Sequence, residues 1–141
     1  MIYKINILCC RNGSILFIFL LLFYSCKPTL ILTKATSQSW CVKEKNIKGV
    51  NYHILIKSNA SYLDVKFDSL KSNGMLINDY NYSVLGKSIY EQKFSKEDTV
   101  LISFNRIGVE KAETITIYYS HKHSRKSIKV YNFKELRTLC P

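Results

Sequence analysis

Short runs in which every second residue is apolar are the feature of this chain that most constrains its fold. Tyr52, Ile54 and Ile56 share one side of such a run, and His53 and Leu55 share the other. Similar runs lie at 63–67, 80–84, 100–104, 115–119 and 128–130. Successive side chains of a β-strand point to opposite faces, so each run predicts a strand with one buried face.

No segment of helical periodicity separates these runs, which argues against βαβ units. Seven or eight short strands in about 115 residues predict an all-β fold, a small antiparallel β-sandwich of immunoglobulin-like size. A small β-barrel is the competing architecture. Asn73-Gly74 predicts a tight turn. The whole chain has only five glycines and two prolines, which leaves the other turns less clearly marked.

Three segments are ambiguous. Ile89–Phe94 is predicted as a further short strand, and Phe133–Leu139 as either a strand or one or two helical turns. Leu30–Leu32 is too apolar for a simple linker and could form a first short strand.

The N-terminal segment has the pattern of an export signal. Lys4 and Arg11 precede an unbroken apolar run, Ile15–Tyr24. As a helix this run would span about 15 Å, half of the roughly 30 Å of a bilayer core. The run therefore predicts the hydrophobic region of a cleaved signal peptide rather than a membrane span.

Ser25-Cys26 directly follows this run and resembles the lipobox of bacterial lipoproteins, although Phe23 and Tyr24 depart from its strict form. The resemblance implies that Cys26 carries acyl chains, palmitate among them, and becomes the new N-terminus. It divides the chain into a signal peptide (1–25), a lipidated cysteine and tether (26–38) and a β-sandwich domain (39–141). The implied location is the cell envelope, with a lipid anchor in the outer membrane of a Gram-negative bacterium. An ordinary signal peptide and an uncleaved anchor are the alternatives.

The chain has five cysteines. Cys9 and Cys10 would leave with the signal peptide and Cys26 would carry lipid. Cys41 and Cys140 remain, and an even number in an oxidising compartment predicts one disulfide. A metal-binding pair and a catalytic thiol are the alternatives.

The net charge is +11, but most of the basic residues are scattered. Only 121–126 is clustered, so the pattern favours a solvated basic surface and makes nucleic-acid binding an unlikely role. Within this cluster, His121 and His123 would share one face of a strand and are candidate ligands for zinc or copper. The neighbouring cations favour a solvated basic turn instead, and no cofactor is expected.

Aromatic residues offer a second kind of site. Trp40, beside Cys41, is expected to pack on the disulfide as part of the core. Tyr80, Tyr82, Tyr118, Tyr119 and Tyr131 could form an exposed platform for a sugar or peptide, although half-buried strand tyrosines are the default.

Two short motifs, Asp68-Ser69-Leu70 and Asp98-Thr99-Val100, resemble the O-glycosylation motif of Bacteroidota. They make Ser69 and Thr99 candidate glycosylation sites.

Several segments together are similar to a group of small uncharacterised lipoproteins of Bacteroidota. They are Ser39-Trp40, Gly49–Tyr52, Leu63–Leu70, Phe94–Ile102 and Tyr131–Leu136. The chain departs from that group at Glu97, where glycine is usual, and at 43–48, which is usually rich in glycine. The resemblance implies an envelope location and a β fold and brings no catalytic residues.

The sequence contains no Ser/His/Asp set, glycine-rich phosphate loop or Cys-x-x-Cys motif. We therefore expect a cell-envelope lipoprotein that acts as a non-enzymatic binding or interaction module for a protein or glycan. A metal-binding protein or enzyme using His121 and His123 is one alternative. A disulfide-stapled inhibitor or immunity-type protein is the other.

Overall fold

A computed structural model describes residues 28–108, 111–112 and 114–140. Nine β-strands and a single 3₁₀ turn, Lys43–Lys45, account for most of this part of the chain. The strands are β1 (Leu30–Val42), β2 (Ile47–Ser58), β3 (Val65–Ser72), β4 (Met75–Ile77), β5 (Asn81–Val84), β6 (Thr99–Ile107), β7 (Ile115–His121), β8 (Ser124–Val130) and β9 (Lys134–Leu139).

The strands form two separate sheets. The first sheet has the order β5-β6-β2-β1-β9 and the second has the order β4-β3-β7-β8. Neighbouring strands are antiparallel except for β1 and β9, which are parallel. The prediction of a small, mainly antiparallel β-sandwich is confirmed, and the competing barrel is wrong because the two sheets do not join into one closed ladder.

The period-two pattern produces the core. On β2, Tyr52, Ile54 and Ile56 are fully buried, whereas the residues between them are partly exposed. The same alternation on β3, β6 and β7 directs the inner faces of both sheets toward each other. The inward residues of these three strands are Val65, Phe67, Leu70, Val100, Ile102, Phe104, Ile115, Ile117 and Tyr119.

Tyr52 occupies the largest fully buried position. Its ring stacks on Phe104, with centroids 4.9 Å apart, and meets the edge of Phe133 at 5.3 Å. Its hydroxyl accepts a hydrogen bond from the backbone N–H of Ala112 at 2.6 Å. This polar tip is therefore satisfied inside an apolar core, and it ties the β6–β7 loop to β2.

Two tight turns have left-handed backbone angles at both central residues. Asn73 and Gly74 have φ values of 46° and 85° and join β3 to β4, as predicted. Lys122 and His123 have φ values of 45° and 69° and join β7 to β8. Positive φ at both central positions matches the right-handed twist of the two flanking strands.

Two segments differ from what the sequence predicts, and a third settles an alternative that the sequence leaves open. Residues 30–38, assigned to a tether, belong to β1 and pair with β2, so the folded domain begins earlier than residue 39. The strand predicted at Ile89–Phe94 is wrong, because that segment lies in the β5–β6 loop without a ladder partner. Phe133–Leu139 contains the strand β9 rather than a helical turn.

The sandwich has two distinct ends. Leu30 pairs with Ser58 at one end of the β1–β2 ladder, and Cys41 pairs with Lys48 at the other. We call the first the N-terminal end; it also holds loops 59–64 and 85–98 and the β7–β8 turn. The second is the disulfide end. Eleven residues of extended strand separate them by about 36 Å.

Candidate functional site

A cleft lined by three tyrosines lies on the β5 side of the sandwich, toward the N-terminal end. Its volume is about 670 Å³, and its lining residues are Tyr62, Tyr82, Ser88, Tyr90, Glu91, Gln92 and Lys93. They come from the β2–β3 loop, from β5 and from the β5–β6 loop. We call this region the tyrosine cleft.

Buried phenylalanines hold the floor of the tyrosine cleft in place. Phe94 is buried, and its carbonyl accepts a hydrogen bond from the N–H of Tyr62 at 2.9 Å. The two rings meet edge to face with centroids 6.4 Å apart. Phe67 packs 5.2 Å from the ring of Tyr82. Tyr62 and Tyr82 are therefore fixed by the core rather than free on the surface.

Polar contacts brace the β5–β6 loop that forms the wall of the cleft. The Nζ of Lys87 lies 3.0 Å from a carboxylate oxygen of Asp98 and donates to the carbonyl of Lys93 at 2.9 Å. The same carboxylate accepts a hydrogen bond from the N–H of Ser95 at 2.8 Å. This backbone N–H, together with the Lys87 ammonium, lowers the pKa of Asp98 below its ordinary value. The loop keeps a defined shape without a strand ladder.

The lining of the cleft combines aromatic faces with hydrogen-bonding groups. Tyr90 is 88% exposed, so its ring is available to a ligand. The Nζ of Lys93 lies 5.8 Å from the centroid of the Tyr62 ring, within range of a cation–π contact. Glu91 and Gln92 add an acceptor and an amide that both donates and accepts. Such a surface can stack on a flat apolar face and bind hydroxyl groups around it.

The structure does not bring the five predicted tyrosines together into one platform. Tyr119 is buried and Tyr80 is half-buried, and burial, followed by the nearby Tyr82 and Asp68, raises the pKa of Tyr80. Tyr118 lies on the outer face of the second sheet, 5.5 Å from the Nζ of Lys71. Of the predicted set only Tyr82 lines the cleft.

Sequence reasoning missed Tyr62 and Tyr90, the other two tyrosines of the cleft. A signal for Tyr90 was present in the sequence, because it stands among several polar residues after Gly86. An aromatic residue in such a loop is a better candidate for ligand contact than one in an alternating strand.

The two candidate metal ligands occupy different local structures. His121 is the last residue of β7, and its Nδ1 lies 3.3 Å from the Oγ1 of Thr29. His123 is in the β7–β8 turn. The regular strand that would point both imidazoles to one face is therefore not formed. Within the described residues, no group of three or more His, Cys, Asp or Glu side chains could hold a metal ion.

The disulfide between Cys41 and Cys140 is confirmed, with their Cα atoms 4.7 Å apart. It links the end of β1 to the residue that follows β9. Trp40 is only partly buried, contrary to the expected core position, because its indole lies over Gly49 on the surface of the first sheet. The indole N–H donates to the side-chain oxygen of Asn105 at 3.1 Å.

The two candidate glycosylation sites are both partly exposed strand residues. Ser69 follows a register shift in β3 and pairs with Tyr118 on the outer face of the second sheet. Thr99 is the first residue of β6 and pairs with Lys57. Neither lines the tyrosine cleft.

Cys26 and the rest of the N-terminal segment lie outside the described residues. In the part of the chain that the structure describes, no helix is long and apolar enough to cross a membrane.

Comparisons with protein-family models, with curated proteins and with solved structures found no match.

Proposed function

We propose that this chain is a lipoprotein of the bacterial cell envelope that binds a glycan in the tyrosine cleft and catalyses no reaction. The observation that carries the proposal is the cleft itself, with three tyrosines, Glu91, Gln92 and Lys93 around about 670 Å³. A site of this size with a few polar groups among aromatic rings suits a small ligand or one end of a polymer.

The envelope location is supported by the N-terminal sequence and by the disulfide. The apolar run Ile15–Tyr24 ends at Ser25-Cys26, which resembles a lipobox. Disulfides form and persist in exported proteins and are rare in the cytosol. The Cys41–Cys140 bridge therefore agrees with export.

A glycan suits the cleft because of how its groups are arranged. Tyrosine presents an apolar ring and a polar tip, so it can stack on the C–H face of a sugar ring and bind a hydroxyl. Tyr62 and Tyr82 are immobilised by Phe94 and Phe67, so little side-chain entropy remains to be lost on binding. The exposed Tyr90 would close over the bound sugar.

The test is to titrate the purified chain with cell-wall oligosaccharides and with neutral hexasaccharides and to measure binding by isothermal titration calorimetry. Tyr90→Ala should weaken binding about tenfold, equivalent to about 1.4 kcal/mol. Tyr131→Ala is the matched control, because Tyr131 is also exposed, at 58%, but lies outside the cleft. The proposal is wrong if no oligosaccharide binds, or if the two variants bind equally well.

A further inference from the structure

The start of the folded chain is fixed to one corner of the N-terminal end. The N–H and the side-chain amide of Asn59 donate to the carbonyls of Thr29 and Pro28, at 2.8 and 2.7 Å. The Oγ1 of Thr29 accepts a hydrogen bond from the Nζ of Lys126 at 3.1 Å and lies 3.3 Å from His121. Pro28 and Thr29 are thus held by two contacts with Asn59 of the β2–β3 loop and by two with the β7–β8 hairpin, through His121 and Lys126.

This corner is basic. Its exposed bases, which with Leu63 we call the basic tip, are Lys66, Lys122, His123, Arg125 and Lys126. Two carboxylates lie nearby, Asp64 and Asp68, and each accepts a hydrogen bond from a serine hydroxyl. The ion pairs among the described residues join other lysines to carboxylates, namely Lys57, Lys87 and Lys111. The bases of the tip outnumber the carboxylates around them.

An exposed leucine projects from the same corner. Leu63 is 79% exposed and lines a shallow depression with Asp64, Lys66, Lys122 and His123. An exposed apolar side chain beside two lysines, in a corner where lysine and arginine outnumber the carboxylates, is an arrangement by which peripheral proteins enter the boundary between lipid headgroups and acyl chains.

We propose that the basic tip lies on an anionic lipid surface, with Leu63 inserted between the headgroups. This inference rests on the proposed lipidation of Cys26. Two residues of extended chain span at most about 7 Å, so a lipid on Cys26 would enter the membrane close to Pro28. The contacts of Thr29 with His121 and Lys126 then bring the basic tip to the same membrane surface.

Docking in this orientation would leave the β5 side of the tyrosine cleft open. The cleft includes Tyr82 on β5, the edge of the first sheet farthest from β9. The chain start contacts Lys126 on β8, which lies beside β1 at the other flank of the sandwich. The membrane would therefore meet one flank of the N-terminal end, and Tyr82 and the β5–β6 loop would lie on the other flank. Tyr62, the chain neighbour of Leu63, would lie between the two regions.

The test is amide hydrogen exchange of the full mature protein, isolated from membranes and placed in vesicles. One vesicle type contains phosphatidylcholine alone and the other also contains phosphatidylglycerol. We expect slower exchange at 59–66 and 121–126 in the anionic vesicles, with the difference removed by high salt. Intact mass of the same sample reports acylation, so failure of lipidation and failure of docking are read separately.

Two triple variants, each lacking three positive charges, compare the basic tip with the disulfide end. The triple variant Lys122→Gln/Arg125→Gln/Lys126→Gln should lose about fivefold in surface affinity for each charge, roughly a hundredfold in total. Lys43→Gln/Lys45→Gln/Lys48→Gln removes three exposed lysines at the disulfide end and should keep the protection. Leu63→Asn should weaken docking on the anionic vesicles at low salt.

Equal exchange in both vesicle types would overturn the proposal, and so would equal loss in the two triple variants. Protection that instead requires a soluble acidic protein, with none on anionic vesicles, would also overturn it and identify the basic tip as a protein-binding surface.

Discussion

Removing the Cys41–Cys140 bridge should destabilise the fold by an amount that follows from its place in the chain. The bridge joins residues 99 positions apart, so it closes a loop that contains nearly the whole domain. The double variant Cys41→Ala/Cys140→Ala removes the cross-link without leaving a free thiol from either residue.

The chain-entropy model sets the magnitude. For a loop of this length the entropy term, −2.1 − 1.5R ln n, is about −16 cal/mol/K, or about 4.7 kcal/mol at 25 °C. The strand β9 adds a local effect, because all its side chains are exposed and β1 is its neighbour in the sheet. Without the bridge, β9 is held mainly by backbone hydrogen bonds. We therefore expect the free energy of unfolding to fall by about 2–5 kcal/mol.

Urea unfolding, followed by circular dichroism and by the fluorescence of Trp40, the single tryptophan, measures this loss. Leu139→Ala is the control, since it alters an exposed side chain of β9 while leaving the cross-link intact, and it should cost less than about 0.5 kcal/mol. A loss below about 1 kcal/mol in the double variant, or an equal loss in the control, would refute the reasoning.

Three further substitutions test the buried hydroxyl of Tyr52, the close approach of Trp40 to Gly49 and the charge of Asp98. Tyr52→Phe leaves the buried N–H of Ala112 without its acceptor, so urea titration should show a loss of about 1–3 kcal/mol. Gly49→Ala places a Cβ 2.6 Å from a ring carbon of Trp40 and from a backbone oxygen; the fold should lose about 1–3 kcal/mol and the tryptophan emission should shift. Asp98 has a lowered pKa in the folded state. The stability that its charged form adds to the fold is therefore fully present above the unfolded pKa of about 4 and is lost as pH falls through the folded pKa. Urea midpoints of wild type and Asp98→Asn should therefore differ at neutral pH and converge in acid.

Each of these expectations has a specific contrary result. Tyr131→Phe removes an exposed hydroxyl and serves as the control for Tyr52→Phe. If Tyr52→Phe lowers the free energy of unfolding no more than this control does, the role given to Tyr52 is contradicted. Unchanged tryptophan emission in the Gly49 variant would mean that the indole does not lie over that residue. If the urea midpoints of wild type and Asp98→Asn still differ in acid, the charge of Asp98 is not the cause of the difference.

The buried strands were predictable because each has one face in the core. Ile54 and Ile102 are inward in the alternating pattern and are fully buried in neighbouring strands. The turn at Asn73-Gly74 was predictable for a similar local reason, since asparagine and glycine tolerate positive φ.

The errors arose where local pattern and long-range pairing disagree. Ile89–Phe94 contains three apolar residues, which suggested a short strand. Only Phe94 reaches the core, while Ile89 and Tyr90 are exposed. Residues 30–38 contain several polar side chains typical of a linker, yet they pair with β2 along the whole segment. The parallel pairing of β1 with β9 depends on contacts about 100 residues apart, which no local periodicity reports.

The tyrosine cleft shows the same limit. Tyr62 belongs to the β2–β3 loop, whereas Tyr82 and Tyr90 belong to β5 and the loop that follows it. They meet because the β2–β3 loop and the β5–β6 loop share one end of the sandwich. The disulfide was predictable because cysteine counting does not depend on the path of the chain between Cys41 and Cys140.

The central claim, a lipid-anchored envelope protein with a disulfide-stapled binding domain, is tested most directly by the intact mass of the chain extracted from membranes, before and after reduction. The account predicts a chain that begins at Cys26, carries added acyl mass and gains two hydrogens on reduction. An unacylated chain in the soluble fraction would contradict the lipid anchor, and a mass unchanged by reduction would contradict the Cys41–Cys140 bridge.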